Sequence, residues 1–412
     1  MEFVRDLEEL TTHCIRCGFC LEACPTFKLT GDETESPRGR IYLVRSAIAD
    51  KLAWEEIREP LDHCLGCRAC ETACPSAVEY GAILEMARTR LGAPKPVKNL
   101  TKMVTSAAVM RILSTVWAGH RAPAILGHTL GPQAQEATVP GREPLANWPA
   151  INPFEVPKIR GEVALLEGCV MQALYPRVHQ ATRRLLRRVG YKVRSLAGCC
   201  GALHAHSGQT EDAHALAEAL VNKASGLPLI VNSAGCGSAL KEYGAWLGTR
   251  AAAALAERTF DLSEFLVTEG LGDELANAQG LGARATYHEA CHLAHGQRVR
   301  SAPRELLSKV HGLEIIPLPE SDMCCGSAGI YNLLQPKMAR KLLDRKWKNI
   351  EQTGARLVVL GNPGCQAWIA QAALEKGGAV RVMHLAEVLE WAFMGGLLPD
   401  QRPAMPRSHD YR

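Results

Sequence analysis

The sequence lacks the features of several protein classes. Its N-terminus shows no basic start followed by an apolar stretch, so no secretory signal is visible. The longest apolar-rich segment, residues 103–120, is interrupted by Arg111 and falls short of the ~20 apolar residues that a membrane-spanning helix needs. Aromatic residues make up only 5% of the chain, and the net charge is +4 without a long basic run. We therefore expect a cytoplasmic protein that has no nucleic-acid partner.

Cysteine is the residue that this chain has in excess. It has 16 cysteines among 412 residues, and they fall into two groups, one within residues 14–74 and one within residues 169–365. Because a reducing compartment disfavours structural disulfides, clustered cysteines in a chain without a visible export signal indicate metal or redox chemistry.

The first group contains the same cysteine spacing twice. Residues 14–25, CIRCGFCLEACP, and residues 64–75, CLGCRACETACP, both follow the pattern CxxCxxCxxxCP. Bacterial-type ferredoxins ligate 4Fe-4S clusters with this run, and its fourth cysteine serves the other cluster. A pair of zinc knuckles is the alternative, but zinc sites do not use two four-cysteine runs with a trailing proline. The spacing predicts one cluster on Cys14, Cys17, Cys20 and Cys74, and a second on Cys64, Cys67, Cys70 and Cys24.

The segment between the two runs predicts a helical domain. Apolar residues recur at helical spacing from Ile41 to Leu52, so we expect an α-helical ferredoxin domain over residues 1–92. Arg38 and Arg40 lie in the same segment. They either place positive charge near a cluster or form surface pairs with nearby glutamates.

The second group of cysteines belongs to an internal repeat. Each copy has one cysteine, then an adjacent pair, then a last cysteine, and the copies are roughly 125 residues apart. In both copies, short apolar stretches that predict strands lead to the first and last cysteines, with a basic amphipathic helix between them. The pattern predicts two α/β modules, over residues 161–280 and 281–398, with cysteines at the carboxyl ends of strands.

Four cysteines in each module suit a four-thiolate site. The adjacent pairs can span two irons of a cluster, and the glycine after each pair lets the backbone approach closely. A zinc site, a catalytic dithiol, or a cluster in only one module are the alternatives that the residues leave open. The candidate cysteines are Cys169, Cys199, Cys200 and Cys236 in the first module, and Cys291, Cys324, Cys325 and Cys365 in the second.

Residues 288–292 spell His-Glu-x-x-His, the motif of zinc proteases. That motif needs both histidines on one face of a helix, whereas this segment ends a predicted strand. The first module has Leu166 and Val170 at the two histidine positions and shares only the acidic residue and the cysteine that corresponds to Cys291. We therefore expect no protease zinc site here.

The chain resembles the iron–sulfur subunit family of glycolate oxidase (glycolate dehydrogenase) over nearly its full length. The resemblance rests on HCIRCGFCLEACPTF, GDETESPRGRIYL, HCLGCRACETACPSAVEYG, LEGCVM, GCCGALHAH, NSAGCGSALKEYG, CCGSAGIYNLLQP and NPGCQAW. The two modules are similar to the cysteine-rich CCG domains of heterodisulfide reductases and of the anaerobic glycerol-3-phosphate dehydrogenase small subunit. The fullest CCG pattern ends in CxxC, but Ser233 and Asn362 stand at the first of those positions here.

The resemblance implies an α+β multidomain chain, in which an α-helical two-cluster ferredoxin domain precedes two α/β CCG modules. It implies an electron-transfer subunit with two 4Fe-4S clusters and a further Fe–S cluster in one or both modules. The expected domains are the ferredoxin domain at 1–92, a linker with a docking helix at 93–160, CCG modules at 161–280 and 281–398, and a tail at 399–412.

The resemblance also implies partners. Flavoprotein subunits that carry FAD would oxidise glycolate to glyoxylate, and this chain would pass the electrons to a quinone-type or other membrane-linked acceptor at the inner face of the membrane. The chain has no GxGxxG after a strand and no phosphate-binding loop, so we do not expect it to oxidise glycolate alone. The alternatives are the iron–sulfur subunit of a lactate or anaerobic glycerol-3-phosphate dehydrogenase, and a thiol redox enzyme like heterodisulfide reductase.

Overall fold

The computed structural model describes residues 6–116 and 158–394. The predicted tail and most of the predicted linker lie outside these residues. In the described part, a helical N-terminal region is followed by two four-stranded parallel sheets with helices around them. The predicted α+β multidomain architecture is confirmed. No helix within the described ranges is long and apolar enough to cross a bilayer.

The N-terminal region consists of short helices joined by the cysteine loops. Ser36 caps the helix Pro37–Ile48, because its hydroxyl accepts the amide N–H of Gly39 at 2.9 Å. Val44, in the middle of that helix, is completely buried. The helices are Leu7–Thr12, Pro25–Thr30, Pro37–Ile48, Arg58–Asp62, Ala69–Thr72 and Tyr80–Leu91, with 3-10 turns at Glu33–Glu35 and Trp54–Ile57.

The predicted docking helix is two helices, Lys95–Thr105 and Ala107–Val116, which meet at Ser106. Both pack on the chain's own first module. Met110 is buried in the core that the two modules share, and Gln209 of the first module donates a hydrogen bond to Thr101 at 3.0 Å.

The two modules have the same sheet topology. The strands of the first are β1 Gly161–Glu167, β2 Tyr191–Ala197, β3 Leu229–Val231 and β4 Thr259–Asp261, in the order β2-β1-β3-β4. Those of the second are β5 Ala283–Tyr287, β6 Leu313–Ile316, β7 Leu357–Leu360 and β8 Arg381–His384, in the order β6-β5-β7-β8. All pairs are parallel. In each sheet the second and third strands lie on opposite sides of the first strand, so the order of the strands reverses there. Such a reversal leaves a crevice at the carboxyl ends of the strands.

Helices cover both sheets and join the modules. Val178 and Leu186 face the core from an otherwise basic helix, as the sequence pattern predicts. The helices of the first module are Cys169–Leu174, Pro176–Arg188, Ala202–His206, Thr210–Lys223, Ala234–Lys241, Tyr243–Leu247, Arg250–Glu257, Leu262–Thr268 and Leu271–Ala276. Those of the second are Ser301–Ser308, Tyr331–Leu334, Pro336–Thr353, Pro363–Glu375 and Leu385–Met394, after a π-helical turn at His292–Gly296.

Candidate metal centres

The two cysteine runs of the N-terminal region share one backbone conformation. In each run, the residues on both sides of the second cysteine have positive φ angles: Arg16 (59°) and Gly18 (89°) in the first, Gly66 (62°) and Arg68 (62°) in the second. Left-handed residues at these two places turn the chain twice within a few residues. The loop thereby wraps around one point, which is the arrangement that three ligands of a cluster need.

Five cysteines line a small cavity near the surface. Four of them form what we call the outer site, namely Cys14, Cys17, Cys20 and Cys74, and the fifth is Cys70 of the second run. Cys17 is exposed, and the neighbouring Ile15 and Phe19 are each 67% exposed. Arg38 contacts the same loop, donating a hydrogen bond to the Arg16 carbonyl at 3.4 Å while it pairs with Glu33 at 2.6 Å. The outer site therefore lies where an external partner can approach it.

The other four cysteines line a second small cavity, the inner site: Cys24, Cys64, Cys67 and Cys70. All four are buried. The sulfur of Cys64 accepts hydrogen bonds from the Gly66 amide and the Tyr80 hydroxyl, both at 3.5 Å. Thiols in fours, donors directed at sulfur, and enclosed space between them fit a 4Fe-4S cluster at each site.

A buried arginine lies beside the inner site. The Arg40 side chain is 1% exposed and pairs with Glu35 at 2.5 Å. It also donates to the hydroxyl of Thr26 at 3.1 Å, and that hydroxyl is 3.2 Å from the sulfur of Cys24. Burial lowers the pKa of Arg40, but the nearby sulfur of Cys64 and other acidic groups raise it above its ordinary value. Arg40 thus combines both alternatives from the sequence: it pairs with a glutamate and places positive charge beside a cluster site.

In each module the four candidate cysteines lie together at the carboxyl ends of the first three strands. The sulfurs of Cys169 and Cys199 are 3.6 Å apart, and Cys200 interacts with both Cys199 and Cys236. The second module repeats this chain of contacts, from Cys291 through the adjacent pair to the last cysteine. The predicted position, at the crevice of each sheet, is where the structure places them.

The glycine after each cysteine pair is needed for close packing. Gly201 has a φ of 76°, and a Cβ there would lie 2.8 Å from the carbonyl oxygen of Ala213. Gly326 has a φ of 92°, and a Cβ there would lie 2.6 Å from the carbonyl oxygen of Ala339. A side chain at either place would push the cysteine pair away from the helix beneath it.

Ser233 and Asn362 replace a cysteine of the fullest CCG pattern, and each forms a hydrogen bond with the last cysteine of its module. The Asn362 amide donates to the sulfur of Cys365 at 3.6 Å. Hydrogen bonds from Cys200 and Ser233 lower the pKa of Cys236. A potential fifth ligand is therefore replaced in each module by a polar side chain that interacts with the last cysteine.

One cavity of about 400 Å³ joins the three domains. Its lining includes Cys64 of the inner site and seven of the eight module cysteines, namely Cys169, Cys199, Cys200, Cys236, Cys291, Cys324 and Cys365. Cys67 of the inner site packs in the same buried cluster as Cys291 and Cys324. Burial, and then the sulfur of Cys291, raises the pKa of Cys67. The inner site thus adjoins the cysteines of the second module.

Polar contacts hold the N-terminal region on both modules. Arg88 donates to the carbonyl of His206 in the first module at 2.7 Å. Lys28, on the helix that follows Cys24, pairs with Glu320 of the second module at 3.1 Å. The hydroxyl of Tyr331 donates to the carbonyl of His63 at 3.0 Å, directly before the inner site's Cys64.

The His-Glu-x-x-His segment does not form a protease helix. Glu289 pairs with Arg304 and Arg300 and is not free to act as a base. The ring of His292 stacks on His206 with centroids 5.1 Å apart, whereas the Nδ1 atom of His288 lies 3.1 Å from the carbonyl oxygen of Ser321.

Three residues near the sulfurs were not predicted. Tyr80 bonds to a sulfur of the inner site, and His288 and Lys346 are fully buried beside the second module's cysteines. No spacing rule identifies them, because their positions depend on contacts between distant parts of the chain.

Comparison with known proteins finds two family models that match the regions containing these cysteines. Residues 11–78 match a family described as a 4Fe-4S dicluster domain, and residues 163–241 and 285–370 match one described as a cysteine-rich domain, CCG. The prediction of Fe–S clusters is confirmed by these matches.

Three relatives cover much of the chain. It is 33% identical to the probable glycolate oxidase iron-sulfur subunit of Bacillus subtilis, over 92% of this chain and 93% of the relative. It is 32% identical to the glycolate oxidase iron-sulfur subunit of Escherichia coli, over 94% of this chain and 95% of the relative. Lactate utilization protein A of Geobacillus sp. is 32% identical over 55% of this chain and 98% of its own length.

Proposed function

Because this chain belongs to the family of glycolate oxidase iron–sulfur subunits, we propose that it carries electrons from a flavoprotein partner to an acceptor. The partner's FAD oxidises glycolate to glyoxylate, which releases two electrons and two protons. The chain takes up the electrons and delivers them to a quinone-type or other membrane-linked acceptor. The observation that carries this proposal is the position of the inner site, between the exposed outer site and the second module.

The proposed ligands follow the predicted pairing. The outer cluster uses the cysteines of the outer site, including Cys74 from the second run, and the inner cluster uses those of the inner site, including Cys24 from the first. Each 4Fe-4S cluster, when bound, accepts and releases one electron at a time. The crossed pairing ties the two loops together, and so holds the clusters close to each other.

The surrounding residues suit electron transfer in one direction. Arg40 and Arg38 each pair with a glutamate, but Arg40 is buried beside the inner site, whereas Arg38 at the outer site is partly exposed to water. Positive charge in a poorly hydrated place stabilises the reduced cluster more than the same charge in water does. We therefore propose that electrons enter at the outer site and move to the inner one.

The modules extend this path. The four cysteines of each module are proposed ligands of a further centre, and the cavity that contains Cys64 and seven module cysteines gives them a common space. Proximity of Cys67 to Cys291 makes the second module the nearer receiver.

A second candidate is a lactate dehydrogenase complex of the same design. It is favoured by the 32% identity to lactate utilization protein A, which spans 55% of this chain. The electron path through this chain would be the same, and only the flavoprotein partner would differ.

The test is anaerobic reduction of the full chain in complex with its co-purified flavoprotein. Glycolate, lactate and glycerol 3-phosphate are added separately, and bleaching of the Fe–S absorption is followed. We expect glycolate to bleach the clusters, and the isolated chain to remain oxidised with glycolate alone. Bleaching by lactate but not glycolate would establish the second candidate. Glycolate oxidation that leaves the clusters oxidised would contradict the electron-transfer role.

A further inference from the structure

The two modules differ in the buried histidines that lie near their cysteines. At the end of the first strand, the second module has His288 where the first has Leu166. His288 is fully buried. One of its ring nitrogens and the sulfurs of Cys325 and Cys365 lie within 4.8 Å of one another, and no other group of this kind is found in the described ranges.

Hydrogen bonding fixes the protonation of this ring. The Nδ1 atom lies 3.1 Å from the carbonyl oxygen of Ser321, and a carbonyl can only accept, so Nδ1 carries the proton. The Nε2 atom of the neutral ring then has a free lone pair. It is buried without a hydrogen-bond partner, which is unfavourable unless another group compensates for it. A histidine oriented by a carbonyl through one nitrogen is the usual arrangement of a metal ligand.

A buried lysine accompanies the histidine. Lys346 donates to the Ser321 carbonyl at 3.3 Å and lies beside the cysteine pair of the second module. The first module has apolar residues at the corresponding places, Leu166 and Leu220. The second module therefore has two buried polar side chains beside its cysteine pair, whereas the first has apolar side chains at these two positions.

We propose that His288 is a metal ligand in the second module, which binds its metal through nitrogen and sulfur. The first module has a buried histidine of its own, His204, which hydrogen-bonds to Cys199, but its described residues include no ring nitrogen and two sulfurs that all lie within 4.8 Å of one another. The inference rests on the proposed function in taking the module as a metal site. Imidazole with thiolates suits iron of an Fe–S centre and also zinc. Imidazole in place of thiolate raises the potential of an Fe–S centre, which suits a receiver of electrons from the inner site.

The test is pulsed EPR on the full chain, purified anaerobically from cells grown with nitrogen-15 histidine. His288→Leu installs the residue of the first module, and His288→Cys supplies a ligand without nitrogen. His179→Leu removes another buried ring, one that contacts Asn232 and none of the module cysteines through its hydrogen bonds. Iron, sulfide and zinc are measured on each protein, and the signals of the two N-terminal clusters report folding.

We expect a nitrogen coupling at the second module's centre in the wild type and in His179→Leu, and its complete loss in both His288 variants. His288→Cys should keep the metal that His288→Leu loses. If the leucine variant does not fold, the loss of nitrogen coupling in His288→Cys tests the proposal. If the metal is zinc, nitrogen is sought by X-ray absorption at the zinc edge with the same variants.

A loaded module without nitrogen coupling in the wild type, or a coupling that persists in His288→Leu, would overturn this inference and leave the proposed function intact. A wild-type chain with about eight iron atoms and no zinc would overturn the module centre itself along with it.

Discussion

The outer and inner sites of the N-terminal region share a loop conformation but have different surroundings. Both loops place left-handed residues on either side of their second cysteine. The outer site has the exposed Cys17 and faces solvent, whereas all four cysteines of the inner site are buried and Arg40 lies among them. The same local sequence pattern therefore produces an exposed site in one place and an enclosed site in the other.

The difference arises from the parts of the chain that cover each loop. The inner loop is covered by the second module, through contacts such as Tyr331 with His63 and Cys67 with Cys291. Nothing in the described ranges covers Ile15 and Phe19 of the outer loop in the same way. We expect the missing cover to come from the flavoprotein partner.

The largest effect is expected from removing a ligand of the inner site. Cys64→Ala should remove one cluster, about four iron atoms per chain, and stop electrons from reaching the modules. Cys17→Ala is the matched control and should remove a similar amount of iron from the outer site. With a small chemical reductant, the modules should still be reduced in Cys17→Ala but much more slowly in Cys64→Ala. Equal reduction in both variants, measured by EPR, would show that the inner site is not a relay.

Exposure to oxygen should destroy the outer and inner clusters at different rates, without any mutation. Because the outer site is near solvent and the inner one is enclosed, we expect air to destroy the outer cluster first. The decay of the two EPR signals is measured after brief exposure to air, with iron analysis at each time. Simultaneous loss of both signals would contradict the difference in accessibility.

The next effect concerns the two arginines. Arg40→Met should leave the buried carboxylate of Glu35 with His63, 2.6 Å away, as its remaining ion-pair partner. We therefore expect a loss of about 3 kcal/mol in the free energy of unfolding, the low end for a broken buried pair. Arg38→Met breaks a partly exposed pair and should cost less than about 1 kcal/mol. Arg40→Met should also lower the potential of the inner cluster while the outer potential stays unchanged. Anaerobic urea unfolding measures the free energy of unfolding, and potentiometric titration measures the cluster potentials. Equal losses of unfolding free energy in Arg40→Met and Arg38→Met would contradict this prediction.

The smallest effect is expected at the contact between Lys28 and Glu320, which links the inner site to the second module. The Arg345 hydrogen bond and Lys28 lower the pKa of Glu320 from 4.5 to about 2. A depressed carboxyl pKa stabilises the fold above pH 4.5, and the contribution is lost as pH falls toward 2. Glu320→Gln should cost about 1 kcal/mol at pH 7, since partial exposure screens the pair.

The control for that variant is Glu33→Gln, which removes the corresponding surface pair beside the outer site. It should cost less than Glu320→Gln, because Glu33 is half exposed. Unfolding is measured at pH 7 and at steps down to pH 4. The difference between wild type and Glu320→Gln should be constant to about pH 4.5 and then shrink. If this stability difference instead grew toward low pH, the pKa of Glu320 would be raised by folding rather than lowered, and the prediction would be wrong.

Much of this architecture could be predicted from the sequence. The cysteine spacing identified two cluster sites, because the ligands of a cluster follow one another closely in the chain. The long repeat predicted two α/β modules with cysteines at strand ends, and the structure places Cys169 after β1 and Cys236 after β3. Both predictions depend on local pattern alone.

The remaining features depend on tertiary contacts. The burial of Arg40 and the contact of Tyr80 with Cys64 arise from packing among several short helices. His288 was noticed only as part of a protease-like motif, and its position beside Cys325 became visible in the folded module. The break between the two helices at Ser106 was not visible in a segment with continuous helical character.

The most direct test of the central claim, that the inner site links the outer site to the second module, is EPR of the fully reduced full chain. The account predicts that a paramagnetic centre in the second module broadens the inner cluster's signal, and that Cys325→Ala removes this broadening while both N-terminal clusters remain. The same inner signal in wild type and Cys325→Ala, with about eight iron atoms in each, would contradict the claim.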